Sequence, residues 1–424
     1  MAPPQPVAGA APTHLRAGRT RKALGQWFTP AALVEHVVAC ATAGARQRIR
    51  SVLDPACGDG RFLAASREVL GDGVALVGVD IDEAASAATR RLVPGAEVHH
   101  ADALTRDWGD ERYDLVIGNP PFLNQLATAT TRGGRSRFGG GPYADAAAEF
   151  LALAVRLARP DGGRVALVLP QSLLTARDAA AIRHDVSNRG SIVHAWATDA
   201  HVFDAAVHVC VLVIELGTPS GSESTRSWGL PPVERTPIVL DDVWSRLLVE
   251  APTAAATADD GRPRLGDIAH FTVDFRDLYY GLVGAVADGA DGPPLVTSGL
   301  IDPGRCRWGE RPVRFAKQTF AAPRVDLSRV SPRLQAWAAG RLVPKILIAN
   351  QTPVIEAVID REGAWLPSVP VLTCTADDLD AVFAVLSAPS ATAWVRERAA
   401  GSGLSPRAVR LTPALLASVP LDRR

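Results

Sequence analysis

A short loop with an amide, two prolines and an aromatic ring follows an apolar stretch in the first half of the chain. Asn119, Pro120, Pro121 and Phe122 come directly after the apolar residues 116–118. Two prolines fix φ and remove two N–H donors, so the loop mainly offers acceptors, namely the Asn119 side-chain oxygen and the Pro120 carbonyl. These could take both N–H bonds of an exocyclic amine on a planar heterocycle, while Phe122 stacks on the ring. A plain turn at the end of a strand is the alternative interpretation.

A glycine-rich turn earlier in the chain has the form of a ligand cradle. Residues 51–63 read as an apolar strand, a turn with Gly58 and Gly60, and a helix. The turn has neither the third glycine of the dinucleotide fingerprint nor a Gly-Lys-Ser/Thr run, so we do not expect phosphate binding. Asp80 ends the next apolar strand, where a carboxylate can accept both ribose hydroxyls, and Asp102 follows a third strand at the same edge. The combination favours nucleoside binding over a simple loop cap.

Strands that alternate with helices must position these residues, and this pattern predicts a doubly wound α/β domain. Thr29 and Pro30 predict the start of a helix that runs to about residue 43, with Thr29 as its N-cap. Capping does not explain the aromatic pair at 27–28. The predicted strands lie near 51–54, 75–80, 98–100, 113–117, 164–169, 192–196 and 208–216, with further helices at 146–158 and 176–187.

Composition limits the classes of protein. The 424 residues have zero formal net charge, 47% hydrophobic and 21% charged content, which is typical of a globular protein of two to three domains. The five cysteines are scattered and no pair has metal-type spacing, so we expect a reducing, cytoplasmic location and no metal site. No apolar run reaches the roughly 18 residues of a membrane span, and we expect no membrane partner.

Changes in composition predict four segments. Residues 1–24 read as a disordered basic arm, 25–218 as the α/β domain, 219–261 as a linker and connecting segment, and 262–424 as a second domain. Within the second domain, residues 301–350 hold ten Lys and Arg but only three Asp and Glu, with aromatic residues between them. This stretch favours nucleic-acid binding over a merely solvated face. In the α/β domain, the Gly- and Arg-rich residues 123–147 predict a mobile basic loop beside the ligand edge.

Together these stretches resemble the gamma-class DNA adenine-N6 methyltransferases. The order of Gly-Gln-Trp-Phe-Thr-Pro ahead of Asp-Pro-Ala-Cys-Gly-Asp-Gly and then Asn-Pro-Pro-Phe carries the resemblance. It covers residues 25–216 by motif and 262–424 more loosely. The resemblance implies a Rossmann-like, seven-stranded S-adenosylmethionine-dependent methyltransferase domain, followed by a C-terminal α+β domain that recognises the DNA target.

The resemblance also assigns cofactor contacts. Thr29 would contact the methionine end of S-adenosylmethionine, and Asp80 would hold the ribose hydroxyls. Asp102 would accept from the adenine amine of the cofactor, and Phe150 would pack on that adenine. The cradle around the methionine end would be formed by Asp54, Ala56, Gly58 and Gly60.

The target base is assigned to the other motif. Asn119 and Pro120 would grip the target amine, with Pro121 in the same motif, and Phe122 would stack on the base. Phe122 stands where tyrosine is commoner in the family, so stacking is retained without a hydroxyl. Phe203 occupies the place of a second aromatic against the flipped base, although the basic residue expected just after it is absent.

The function implied is methyl transfer to the N6 amine of a flipped adenine in double-stranded DNA, in restriction-modification or phage defence. The alternatives are a protein-glutamine or ribosomal RNA methyltransferase, and a non-catalytic DNA-binding subunit of a defence complex. A basic domain of about 160 residues after the sheet favours DNA over the first alternative. We find no nuclease constellation, so a separate restriction endonuclease or a defence-complex subunit is the candidate protein partner.

Overall fold

The computed structural model describes residues 29–122, 136–141, 144–203, 207–218, 221–240, 243–250, 252, 261–274, 276–405 and 407–421. The predicted arm at 1–24, the aromatic pair at 27–28, most of the predicted loop at 123–147 and the residues just after Phe203 lie outside these ranges.

A nine-stranded sheet in the order β3-β2-β1-β4-β5-β7-β6-β8-β9 forms the first part of the molecule. Its strands pair in parallel except β7, which runs antiparallel to β5 and β6, and β9, which runs antiparallel to β8. The strands are β1 (Ser51–Asp54), β2 (Ala75–Asp80), β3 (Glu97–His100), β4 (Leu115–Gly118), β5 (Arg164–Pro170), β6 (Gly190–Ala197), β7 (Val209–Leu216), β8 (Glu223–Trp228) and β9 (Val233–Val239).

The predicted α/β fold class is confirmed, and all seven strands expected from the sequence are present. β1 pairs in parallel with both β2 and β4, so the strand order reverses at this point. In open α/β sheets, ligands bind outside the carboxyl ends of the strands at such a switch point. The ends of β1, β2 and β4 therefore form the edge at which a site is expected.

Among the described residues, five helices cover the two faces of this sheet: α1 (Ala31–Thr42), α2 (Arg61–Leu70), α3 (Glu83–Leu92), α4 (Ala146–Leu157) and α5 (Ala180–Arg189). Local signals explain where they begin. Asp82 caps α3 by accepting from the Ala84 N–H at 2.9 Å, and Asp145 caps α4 by accepting from the Ala147 N–H at 2.8 Å. The N-cap of α1 is Pro30 and makes no side-chain cap bond, so the prediction of Thr29 as the cap is wrong.

The prediction of a linker at 219–261 is wrong for the part that forms β8 and β9. The inward residues of β8 are polar, since Ser224 and Arg226 are both buried. The Arg226 guanidinium donates to backbone carbonyls of residues 236, 247 and 249, which satisfies its hydrogen bonds inside the protein. A strand with a polar buried face lacks the apolar alternation by which strands are recognised in a sequence.

The C-terminal part is built on a four-stranded antiparallel sheet, β10-β22-β18-β20. The helices are α6 (Arg276–Leu282), α7 (Pro332–Arg341), α8 (Leu379–Ser387), α9 (Pro389–Ala399) and α10 (Pro413–Ala417). The strands are β10 (Ala269–Val273), β11 (Val286–Asp288), β12 (Leu295–Val296), β13 (Ile301–Asp302), β14 (Arg305–Cys306), β15 (Val313–Phe315), β16 (Gln318–Phe320), β17 (Pro323–Val325), β18 (Lys345–Ile348), β19 (Gln351–Thr352), β20 (Ala357–Asp360), β21 (Leu366–Pro367), β22 (Leu372–Ala376) and β23 (Val409–Arg410). In the part of the chain that the structure describes, no helix is long and apolar enough to span a bilayer.

A 3₁₀ turn at Trp244–Leu248 connects the two parts. Trp244 is buried in the hydrophobic cluster of the first part, and Arg246 forms a buried ion pair with Glu397 of α9 at 3.8 Å. An exposed ion pair of 3.1 Å joins Asp199 to Arg407. This segment, also predicted as connecting chain, is therefore a packed junction rather than an extended spacer.

Candidate active site

β4 carries Asn119 to the carboxyl edge of the sheet. The residue before it, Gly118, lies so close to the Asp54 carboxylate of β1 that a Cβ there would overlap it. The Asn119 side-chain N–H donates to the Thr29 hydroxyl at 3.0 Å, across 90 positions of sequence. This bond orients the amide and brings the segment before α1 against the loop after β4. Two predicted site residues from distant motifs, Thr29 and Asn119, are thus in direct contact.

The aromatic side chains of the site lie together beside this amide. The Phe122 and Phe203 rings are tilted by 60° with centroids 6.1 Å apart. Phe122 is half-buried, whereas Phe203 is only 7% exposed and belongs to a hydrophobic cluster that contacts Phe122. Pro120 is buried next to them, and Pro121 is half-buried. The structure brings the two predicted stacking rings together, and Phe203 is the more deeply buried of the two.

The glycine turn after β1 has the backbone that its sequence predicts. Gly58 and Gly60 have φ of +54° and +88°, in the region that side chains disfavour. A Cβ on Gly60 would also meet Thr89 at 3.0 Å. The Gly58 N–H donates to Asp80 at 2.8 Å, which fastens the turn to the end of β2. On the other side, Asp54 accepts from the Ala56 N–H at 3.1 Å.

Burial raises the pKa of two carboxyl groups at this edge, those of Asp54 and Asp80. Desolvation raises the pKa of the Asp54 carboxyl to about 8, with nearby Asp80 and Asp59 adding to the effect against a bond from Ala56. Desolvation also raises the pKa of Asp80, although bonds from the N–H groups of Asp82 and Gly58 oppose it. The raised pKa favours the protonated form of Asp54 at neutral pH.

Asp102 and Phe150 complete the predicted cofactor set. Asp102 is half-buried and accepts from the Leu104 N–H at 3.0 Å, in the loop after β3. The Ala101 N–H donates to the Asp80 carbonyl at 3.0 Å, so this loop is tied to the end of β2. Phe150 is buried in α4, in the cluster against which Ala56, Leu104 and Phe122 pack. These residues line the same edge as Asp80.

Arg61 is a site residue that the motifs did not single out. Its guanidinium forms an ion pair with Asp59 at 2.8 Å and donates to the Thr29 carbonyl at 2.9 Å. It thus joins the glycine turn to the segment that carries Thr29. A basic side chain in the first turn of α2 interacts unfavourably with the helix dipole. This unusual placement is the sequence feature that could have drawn attention to Arg61.

The end of the predicted mobile loop packs against α4 where the structure describes it. The Ser136 hydroxyl donates to Glu149 at 2.5 Å and accepts from the Gly140 N–H at 2.6 Å. The Arg156 guanidinium lies 4.9 Å from the centre of the Phe138 ring. A buried carboxylate and an aromatic ring therefore tie residues 136–141 to α4, and the mobility of the loop at 123–147 stays a prediction.

Half of the ten basic side chains in residues 301–350 form ion pairs. Lys345 pairs with Asp360 at 2.6 Å inside the protein, and Arg324 lies over the Trp308 ring at 5.0 Å. Four further arginines form the pairs Arg305–Glu310, Arg307–Asp302, Arg311–Asp302 and Arg341–Asp274. Among the described residues, the exposed basic side chains of this stretch without an ion pair are Arg314, Lys317, Arg329 and Arg333. Asp302 and Glu310 are already in the charge count, so Asp274 and Asp360 are the partners that reduce the net charge of the stretch further.

Two of these four residues lie on one hairpin. β15 and β16 are joined by Ala316 and Lys317, with φ of +48° and +67°. Two-residue loops with both φ positive favour Asn and Gly, so Ala and Lys are held here against their preference. Arg314 and Lys317 are exposed on this ribbon, and the Tyr279 hydroxyl accepts from the Ala316 N–H at 2.9 Å.

Comparison with known proteins places the chain in a family. Residues 15–226, which are half of the chain, match the model of the N-6 DNA Methylase family. The chain belongs to this family. The resemblance to DNA adenine-N6 methyltransferases that the order of motifs indicated is confirmed.

Two curated relatives of this chain are type II methyltransferases. M.TthHB8I of Thermus thermophilus is 32% identical over 42% of this chain and 42% of the relative. M.CvrRI of Paramecium bursaria Chlorella virus XZ-6E is 28% identical over 40% of this chain and 43% of the relative. The aligned part thus covers less than half the length of either relative. Among solved structures, the type I restriction-modification methyltransferase subunit of Streptococcus thermophilus matches with a TM-score of 0.41 and 18% identity, over 52% of each chain.

Proposed function

We propose that this N-6 DNA methylase transfers a methyl group from S-adenosylmethionine to the N6 amine of adenine in double-stranded DNA, at a specific sequence. The supporting observation is the arrangement at the carboxyl edge of the sheet. An oriented amide at Asn119 lies one residue beyond Gly118, whose backbone abuts the Asp54 carboxylate. Acceptors for an amine and carboxylates for a cationic cofactor therefore adjoin at a single edge.

The residues of this edge fit S-adenosylmethionine. The positive φ of Gly58 and Gly60 leaves the backbone of the turn open to a ligand. Each Asp80 oxygen accepts one backbone N–H, from Gly58 or Asp82, and a carboxylate oxygen has a further lone pair for a ribose hydroxyl. When bound, the cofactor supplies an electrophilic methyl group on a positively charged sulfur, and Asp54 suits that charge.

We propose that Thr29 and Ala56 contact the methionine end, and that Asp102 accepts from the adenine amine of the cofactor. Phe150 supports that adenine from within the hydrophobic cluster. The Cys57 thiol is buried in the same turn, and burial raises its pKa, so it stays protonated and does not act as a nucleophile.

The chain's contribution to the chemistry is then to position the target amine. The N6 lone pair of adenine is delocalised into the ring and is a weak nucleophile. The Asn119 side-chain oxygen and the Pro120 carbonyl accept its two N–H bonds, which concentrates the lone pair on nitrogen and aims it. Positioning of this kind, together with fixed dipoles, supplies most of the acceleration in a direct transfer.

The base has to leave the duplex to reach this position. Unstacking costs a few kcal/mol, and stacking on an aromatic face offsets part of it. Phe122 offers that face, being half-buried at the edge, and the more deeply buried Phe203 lies beside it. Pro121 stiffens the loop between the amide and the ring.

Residues 262–424 are proposed to read the DNA, and the β15–β16 hairpin is the part best suited to do so. A two-stranded ribbon fits the major groove, and Arg314 and Lys317 are exposed on it without an ion pair in the described chain. Arg329 and Arg333 are exposed nearby in sequence and suit phosphate contacts. A restriction-modification or phage-defence role, with a separate nuclease or defence-complex subunit as partner, completes the proposal.

The test is to incubate the purified chain with S-adenosylmethionine and unmethylated genomic DNA, and to map N6-methyladenine by single-molecule sequencing. We expect methylation within a defined motif. Asn119→Ala should abolish turnover and keep cofactor binding by isothermal titration, whereas Asn188→Ala, an exposed amide on α5, should behave as wild type. Normal turnover of Asn119→Ala would refute the mechanism. Cofactor binding without DNA modification would favour an RNA or protein substrate.

A further inference from the structure

Three side chains of types that bind transition metals meet where α1 packs against the β6–β8 side of the sheet. His36 and Cys40 lie one helical turn apart on α1, and His194 lies on β6. All three are half-buried, and one ligand atom from each lies within 4.8 Å of the others. Ser227 of β8 adds a hydroxyl to the group. None of these residues takes part in the site described above.

Three distances within this group are close to those of a tetrahedral centre, and the ligand atoms of His36, Cys40 and His194 all lie within 4.8 Å of one another. The Cys40 Sγ is 3.6 Å from the His36 Nε2. The Ser227 Oγ is 3.2 Å from that nitrogen and 3.1 Å from the His194 Nε2. With Zn–S of about 2.3 Å and Zn–N of about 2.0–2.1 Å, tetrahedral geometry requires ligand atoms roughly 3.3 to 3.6 Å apart. The distance from Cys40 to His36 falls within this range, and small side-chain adjustments would bring His194 into it.

A neighbouring hydroxyl sets the tautomer of His194. The Thr225 hydroxyl donates to the Val193 carbonyl at 3.1 Å, so its one proton is already committed. It lies 2.8 Å from the His194 Nδ1 and can only accept there, which places the ring proton on Nδ1. The His194 Nε2 then carries a lone pair on the side of His36 and Ser227. Metal-binding histidines are oriented by a partner on the other ring nitrogen in this same manner.

We propose that His36, Cys40 and His194 bind one Zn²⁺, with the fourth position next to the Ser227 hydroxyl. Two imidazoles and one thiolate form a donor set that zinc accepts. The ion would join α1 to β6 and β8, and thereby fix the segment that carries Thr29 just before α1. Because such a site exists only in the folded chain, its binding energy would add to the stability of the fold.

The test uses the full-length chain, stripped of metal with a chelator and titrated with Co²⁺, followed by Zn²⁺ in competition with a chromophoric chelator. We expect one ion per chain and a thiolate-to-cobalt charge-transfer band that Zn²⁺ removes. Cys40→Ser should lose the band. Thr225→Val should keep it but lower the affinity for Zn²⁺ by about 10- to 100-fold, because it removes only the partner of the ligand His194.

Cys306→Ser is the matched control, since Cys306 is also half-buried but lies on β14, in the C-terminal part. It should bind as wild type does. A wild-type chain with no charge-transfer band, or a band that survives in Cys40→Ser, would overturn the proposal. If Cys40→Ser does not fold, as judged by circular dichroism, the Thr225→Val affinity decides, and an affinity equal to wild type would count against the site. None of these measurements depends on methyl-transfer activity.

Discussion

The proton held by Asp54 gives a quantitative test of the site. The carboxyl is buried, and its pKa in the folded chain is raised to about 8. In the unfolded chain its pKa is about 3.9. Between these values the folded state holds a proton that the unfolded state has lost. Stability therefore declines as pH rises through this window, which is the reverse of the usual behaviour of an aspartate.

The size of the effect follows because the folded state holds one proton more than the unfolded state between the two pKa values. Each pH unit is worth about 1.36 kcal/mol, so from about pH 5 to about pH 7 the Asp54 contribution falls by roughly 2.7 kcal/mol. Asp54→Asn cannot ionise, and its amide oxygen can still accept from the Ala56 N–H. We therefore expect the free energy of unfolding of Asp54→Asn, relative to that of the wild type, to rise by roughly that amount between the two pH values.

Urea unfolding of both proteins at the two pH values measures this difference. Asp72→Asn is the control, because Asp72 is exposed in the turn after α2. Its free energy of unfolding should differ from that of the wild type by the same amount at both pH values. If the offset between wild type and Asp54→Asn does not change with pH, the protonated carboxyl is refuted. In the wild type, binding of S-adenosylmethionine should also release a proton. Calorimetry in buffers of different ionisation enthalpy measures this release, and Asp54→Asn should show none.

Two further predictions concern packing and DNA. Gly118→Ala should lower the free energy of unfolding by about 1–3 kcal/mol in chemical denaturation, because its Cβ would overlap the Asp54 carboxylate. Gly73→Ala, which has open space around it, should cost little, and an equal loss in both would contradict this reasoning. Replacing Arg314 and Lys317 by alanine should weaken DNA binding. It should also make the plot of log affinity against log salt concentration less steep, by about one for each phosphate that the protein no longer neutralises. Arg305→Ala, whose guanidinium is already paired with Glu310, should change that slope much less, and equal effects would rule out the hairpin as the DNA-binding element.

The α/β sheet and the position of its ligand edge follow from local sequence. Apolar strands alternate with helices over short distances, and each strand is followed by the residues that stand at its carboxyl end. Asp80 and Asn119 can be placed at one edge for this reason, since parallel strands bring their ends together. The left-handed turn at Gly58 and Gly60 is likewise local, because only glycine adopts it readily.

Which distant residues meet depends on the packing of the whole chain. The bond from Asn119 to Thr29 spans 90 positions, and the pairing of Arg341 with Asp274 spans 67. A charge count over residues 301–350 cannot show that Asp274 and Asp360, which lie outside this stretch, pair with two of its basic side chains. β8 is not recognisable from its sequence because its buried side chains are polar. Arg226 donates to carbonyls of a later turn, and Ser224 donates to the Ile192 carbonyl of β6.

The cluster of His36, Cys40 and His194 is the clearest case. Spacing between cysteines predicts no metal site, and the one local signal is a histidine and a cysteine four residues apart on a helix. The third ligand comes from β6, about 150 residues later in the chain, and reaches α1 only through the order of strands in the sheet. Local patterns fix elements because their hydrogen bonds and apolar periods are short-range. Whether side chains from distant elements come together depends on how those elements pack, and the linear sequence does not show this packing directly.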